Sequence, residues 1–90
     1  MLMAHHSRKY EREYQRKRSL QLEVLEHLKW HSPKKRDTLH IHFAIYRAAN
    51  ILPVLDALKD AMYIEVSKDK DQMVRITALG LNRLEKQRDY

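Results

Sequence analysis

Ninety residues, 43% hydrophobic and 33% charged, make one small globular domain with a heavily solvated exterior. A chain this short buries roughly 60–65% of its unfolded surface, so its core is modest and leaves no room for a deep catalytic cleft. The lack of cysteine excludes a disulfide framework and a thiolate metal site, and no apolar run approaches the roughly 20 residues of a membrane span. The opening Met1-Leu2-Met3-Ala4-His5-His6 is too short and polar for a signal peptide, so the expected location is cytoplasmic.

The net charge of +6 is unevenly placed. Residues 1–18 hold six Lys/Arg against two Glu, a local +4, and Lys34-Lys35-Arg36 adds +3. Concentrated basic segments attract polyanions, nucleic acid foremost, although the same charge also serves plain solubility.

Within the arm at 1–18, Tyr10 and Tyr14 are four apart and Glu13 is four before Lys17, spacings that favour helix. The arm has no wide apolar face and must dock on something or fray. From Ser19 the pattern becomes amphipathic: Leu20, Val24, Leu25 and Leu28 recur at helical spacing, flanked by Leu22 and Trp30. Trp30 is expected in the core or an interface. This first helix should stop before Ser32-Pro33, because proline restricts its predecessor. Residues 33–36 are then expected as a loop, with Asp37 as the cap of a second helix. Leu39, Phe43 and Tyr46, with Ile41 and Ile45 on an adjoining stripe, predict that this helix is short and well buried.

A third helix should run to about Ala61 with Leu52, Leu55 and Leu58 inward. Proline is tolerated in a first turn but costs roughly 3 kcal/mol in a helix interior. Starting the helix at Asn50, a favoured cap, puts Pro53 at its third position and leaves Arg47-Ala48-Ala49 as a tight turn. The rival reading is one continuous helix kinked at Pro53. The period then changes to two. Met62, Ile64 and Val66 alternate with polar neighbours, 68–72 is a polar turn, and Val74 and Ile76 alternate again, which predicts a two-stranded antiparallel hairpin. Thr77 is placed to cap a last helix with Ala78, Leu81 and Leu84 on one side. The fold class expected is α+β, mostly helical.

Three helices, a hairpin and a final helix, in that order, resemble a winged helix-turn-helix. The local pattern is similar to MarR-type and PadR-type regulators, in which a leucine-rich recognition helix is followed by a glycine and a hydrophobic pair opening the wing. Residues 54–64 take that place here. Val74 to Leu84 resemble the Leu-Thr-x-x-Gly-x-x-x-Leu segment that follows the wing, with Gly80 the only glycine of the chain. The resemblance covers about residues 19–86 and divides the chain into a basic arm (1–18) and a winged-helix domain (19–90). Two departures stand out. Met62 occupies the turn glycine's position, so the third helix should leave by another route. The wing turn is also neutral, with Lys68 and Lys70 against Asp69 and Asp71.

The resemblance implies double-stranded DNA as the partner, with the third helix (about 50–61) in the major groove and the wing along the phosphates. Arg47, Asn50, Pro53 and Ala57 would then face DNA, Asn50 either pairing with an adenine edge or serving only as a cap. Asp56 and Asp60 on that helix repel phosphate. Affinity must therefore come from Arg8, Lys9, Arg12, Arg16, Lys17, Arg18, Lys34, Lys35 and Arg36, helped by Lys68, Lys70 and Arg75 of the wing. Tyr10 and Tyr14 suit packing between subunits better than base stacking. A homodimer through the terminal helices is expected, as in a transcriptional repressor. The alternatives are a winged-helix protein-interaction module, or a plasmid or viral replication or partition accessory protein.

No serine or acid-pair constellation and no glycine-rich loop points to an enzyme. His27 and His31 are four apart and His40 and His42 near neighbours, but no motif assembles three or four ligands. Neither a metal nor a cofactor is expected.

Overall fold

The computed structural model describes residues 20–88. They form four helices and a small three-stranded antiparallel sheet, a mostly helical α+β fold. Helix α1 covers 20–31 of the described chain and stops where Ser32 and the cis-linked Pro33 follow. Strand β1 (Lys34–Lys35), helices α2 (Arg36–Arg47) and α3 (Leu52–Asp60), strands β2 (Ile64–Val66) and β3 (Met73–Ile76), and helix α4 (Ala78–Arg88) complete the order. The arm at 1–18 lies outside the described residues.

The core takes at least one side chain from every helix and from β2 and β3. Val24, Leu25 and Leu28 of α1 meet Leu39 and Phe43 of α2, and Leu55 and Leu58 of α3. Ile51, Ile64, Val74 and Leu84 close the cluster. A fully buried side chain of this kind contributes roughly 2 kcal/mol, so this core is sufficient for one small domain and no more.

Four expectations about the elements change. The segment 34–36 is not a loop: Lys34 and Lys35 pair antiparallel with Val74 and Met73, and Arg36 opens α2. The sheet therefore has order β1-β3-β2, one strand more than the hairpin alone. The residue before α2 is Lys35, which makes no side-chain cap, and Asp37 sits in the first turn, where the helix dipole favours a carboxylate. Helix α3 begins at Leu52, so Pro53 is its second residue and needs no N–H there. Asn50 still serves this start, because its Oδ1 accepts the Leu52 N–H at 3.2 Å.

Helix α2 is only half buried. Leu39 and Phe43 reach the core, but Ile41, Ile45 and Tyr46 stay open, as does Trp30 of α1. The adjoining stripe misleads because two residues along a helix is about 200° of rotation, which carries Ile41 and Ile45 to the far side from Leu39 and Phe43.

The exit of α3 holds the largest surprise. Met62 takes the left-handed backbone (φ 66°) that glycine favours, so the chain leaves by the same route a glycine would permit. The Met62 N–H donates to the Lys59 carbonyl (2.9 Å) and the Tyr63 N–H to that of Leu58 (2.9 Å), a Schellman closure with methionine at its left-handed position. The Met62 side chain is 68% exposed rather than aligned with Ile64.

Candidate nucleic-acid interface

The hairpin rises directly from this helix exit, and its turn is built by side chains. Asp69 Oδ1 accepts the Ser67 hydroxyl (2.8 Å) and the Gln72 N–H (3.1 Å), while Ser67 Oγ accepts the Met73 N–H (2.8 Å). Gln72 itself turns left-handed at φ 48°. The carboxylate that neutralises part of the hairpin's charge is thus also the brace of its turn. A lysine there would add charge and dismantle the loop.

Register explains which cations come together. Because Lys34 and Lys35 are paired to β3 and the Arg36 N–H donates to the Gln72 carbonyl (3.1 Å), the basic triplet lies against the turn that carries Lys68 and Lys70. Lys35, Arg36, Lys68 and Lys70 thus share one end of the sheet with Asp69 and Asp71, while Lys34, paired with the buried Val74, lies on the helix side near His27. Lys35 reaches Asp71 at 3.9 Å, with both groups largely exposed, a contact worth little in water. Arg75 points outward from β3, opposite Glu65 on β2 in the strand register.

Arg47, Asn50 and Pro53 form a separate exposed group at the α2–α3 turn, where Ala48 adopts φ 49°. Arg47 is engaged by Glu23 of α1, so its charge is partly answered within the chain. Asn50 is occupied at the start of α3, as a turn-former. The exposed face of α3 presents Pro53, Asp56, Ala57 and Asp60 at helical spacing, with Lys59 beside it. Arg8, Lys9, Arg12, Arg16, Lys17 and Arg18 lie outside the described residues.

At the far end of the hairpin the chain is tightly tied. Thr77 Oγ1 donates to the Met62 carbonyl (2.7 Å) and accepts the Gly80 N–H (3.1 Å), capping α4 as expected. The Thr77 N–H donates to the Tyr63 carbonyl (3.0 Å). A Cβ on Gly80 would lie 2.2 Å from that same carbonyl oxygen, which explains why the single glycine is there.

Sequence reasoning missed one cluster. His27 of α1 stacks near His31 (centroids 4.7 Å) and also near His42 of α2 (4.5 Å), with His42 in turn against Tyr46 (4.8 Å). The i,i+4 spacing of His27 and His31 was visible; the arrival of His42 required the α1–α2 packing. Burial, then the neighbouring His42 and His31 and the Lys34 ammonium, hold the His27 imidazole below its ordinary value. Among the described residues no group of three or more His, Asp or Glu is arranged to hold a metal ion, and no helix is long and apolar enough to cross a membrane. Comparison with protein-family models, curated proteins and solved structures finds no match.

Proposed function

We propose that this chain is a winged helix-turn-helix protein that binds duplex DNA as a dimer and acts as a transcriptional regulator. The observation that carries the reading is the joining of β1 to the hairpin, which sets Lys35 and Arg36 beside Lys68 and Lys70 at the tip that would run along the phosphates. In this reading α3 enters the major groove by its start, Pro53 first, and the arm at 1–18 adds its +4 to the backbone grip. Specificity falls to a short exposed stretch around Asn50 to Ala57, since Asp56 and Asp60 disfavour a long phosphate contact.

The test is titration of a labelled duplex at two salt concentrations. Each phosphate neutralised contributes a slope of about −0.9 in log K against log salt, so replacing Lys35 and Lys68 by glutamine should weaken binding and flatten that slope by nearly 2. Asp56→Asn with Asp60→Asn should tighten binding several-fold at low salt and less at high salt. Absence of binding at low salt would overturn the reading. It would favour a protein-interaction module, for which the acidic exposed face of α3 is the supporting observation.

A further inference from the structure

The outer surface of α1 and α2 is unlike the rest of the molecule. Trp30 is 67% exposed, Ile41 56%, Ile45 69% and Tyr46 72%. On α2 these residues fall in two adjacent i,i+4 rows, Ile41 with Ile45 and His42 with Tyr46. Between the helices runs a groove of about 540 Å³ walled by Trp30, His27, His31, His42, Phe43 and Tyr46. Trp30 and Tyr46 wall this groove, and Ile45 lies beside Tyr46 in a neighbouring hollow.

Charge says what kind of partner fits. The chain carries +6 overall, concentrated at 1–18 and at the sheet end, so two copies repel where those segments meet. On this face Glu23 is ion-paired to Arg47, and the Lys29 ammonium lies over the Trp30 ring at 5.3 Å. Glu23 and Glu26 therefore balance Lys29 and Arg47, and His27 is held below its ordinary value, toward the neutral form. A polyanion or an acidic protein would be drawn to the basic sheet end instead. A neutral, aromatic face with both signs at its rim is what a two-fold contact between identical chains requires, because the same patch must complement itself.

We propose that the α1–α2 face, centred on Trp30 and Tyr46, is where a second copy of this chain docks. This deepens the dimer in the function proposed above and moves it off the terminal helices: α4 spends Leu84 on its own core and leaves Leu79 as its one large exposed apolar side chain among the described residues. Leu22, Glu23, Glu26 and Arg47 form the rim of the docking face.

The histidines make the contact sensitive to acid. His27 faces Glu23, Glu26 and His31 from its own helix, Lys34 from β1, and His42 and Arg47 from α2. Covering the groove removes more water from His27, which burial already holds below its ordinary value, so protons bind the separated chains more readily than the pair. The dissociation constant therefore rises as pH falls below the ordinary imidazole value.

Sedimentation equilibrium of the full chain without DNA, from micromolar to submillimolar concentration, tests this apart from the DNA reading. A dimer is expected, with the emission of Trp30, the only tryptophan, shifting to the blue as it forms. Tyr46→Ala should raise the dissociation constant about tenfold or more, as loss of a central aromatic anchor does. Leu79→Ser should leave it unchanged, and lowering the pH from about 7.5 to about 5.5 should raise it in the parent chain. Circular dichroism establishes that both variants keep the fold. A monomer throughout would overturn the proposal, as would a dimer indifferent to Tyr46→Ala. A monomer with Trp30 already shielded would overturn it in favour of residues 1–19 covering the face.

Discussion

The junction where α3 passes into the hairpin and α4 contrasts with the outer face of α1 and α2. At the junction, Met62, Tyr63, Thr77 and Gly80 exchange short hydrogen bonds and leave no space for a methyl group. On the outer face, large apolar side chains stand in water with few polar constraints. The first region is organised by its backbone and tolerates only certain residues. The second is held in place by the core behind it, and its side chains are free to serve something outside. Identity at the junction answers to folding, and identity on the face to association.

Gly80→Ala should have the largest effect. In an open helix this change gains up to about 1 kcal/mol. Here the new Cβ meets a backbone oxygen at 2.2 Å and the Ile76 side chain at 2.9 Å, and neither can step aside cheaply. A net loss of about 3 kcal/mol, a fall of roughly 15 °C in melting temperature, is expected. A melt within a few degrees of the parent would mean that the junction is loose and the contrast with the outer face unfounded.

Met62→Gly sharpens the comparison in the opposite direction. Left-handed backbone costs a residue with a Cβ about 1 kcal/mol or somewhat more, part of which glycine's freedom in the unfolded chain cancels. The methionine side chain is mostly exposed, so little packing is lost. A gain of about 0.5 kcal/mol in denaturant unfolding is expected. A loss would show that the side chain holds the junction together.

The smallest effect belongs to the outer face. Ile45→Ser, measured by chemical denaturation in dilute solution, should change stability by about 0.5 kcal/mol or less, since the two residues have similar helix propensity and Ile45 is largely solvated. A cost above about 1.5 kcal/mol would place Ile45 against another part of the chain and erase the distinction between the two regions.

The same contrast governs what could be read from sequence. The end of α1, the polar turn at 68–72 and the cap at Thr77 were legible because each is decided by neighbours a few residues away. β1 was not, since two lysines have no period, and their strand exists only because β3 lies alongside. Periodicity identified the buried stripe of α2 through Leu39 and Phe43, but apolar character alone could not tell that Ile41 and Ile45 face outward. At Met62 the residue type argued against a left-handed turn that the surrounding hydrogen bonds impose. Of the candidate interface, the charges were visible in advance, whereas the gathering of Lys35 and Arg36 against the hairpin turn and the capture of Arg47 by Glu23 depend on tertiary packing.

The pairing of Lys34 with Val74 also orders the assembly of the chain. Closing a loop of some forty residues costs about 3 kcal/mol in chain entropy, more than a strand of two residues returns. β1 can therefore join β3 only after the helices have collapsed on their core and brought the two segments within reach. On unfolding it releases first. The cations that β1 brings to the sheet end are held by a latch that closes last, so that part of the basic surface can come apart in fluctuations that leave the hydrophobic core intact.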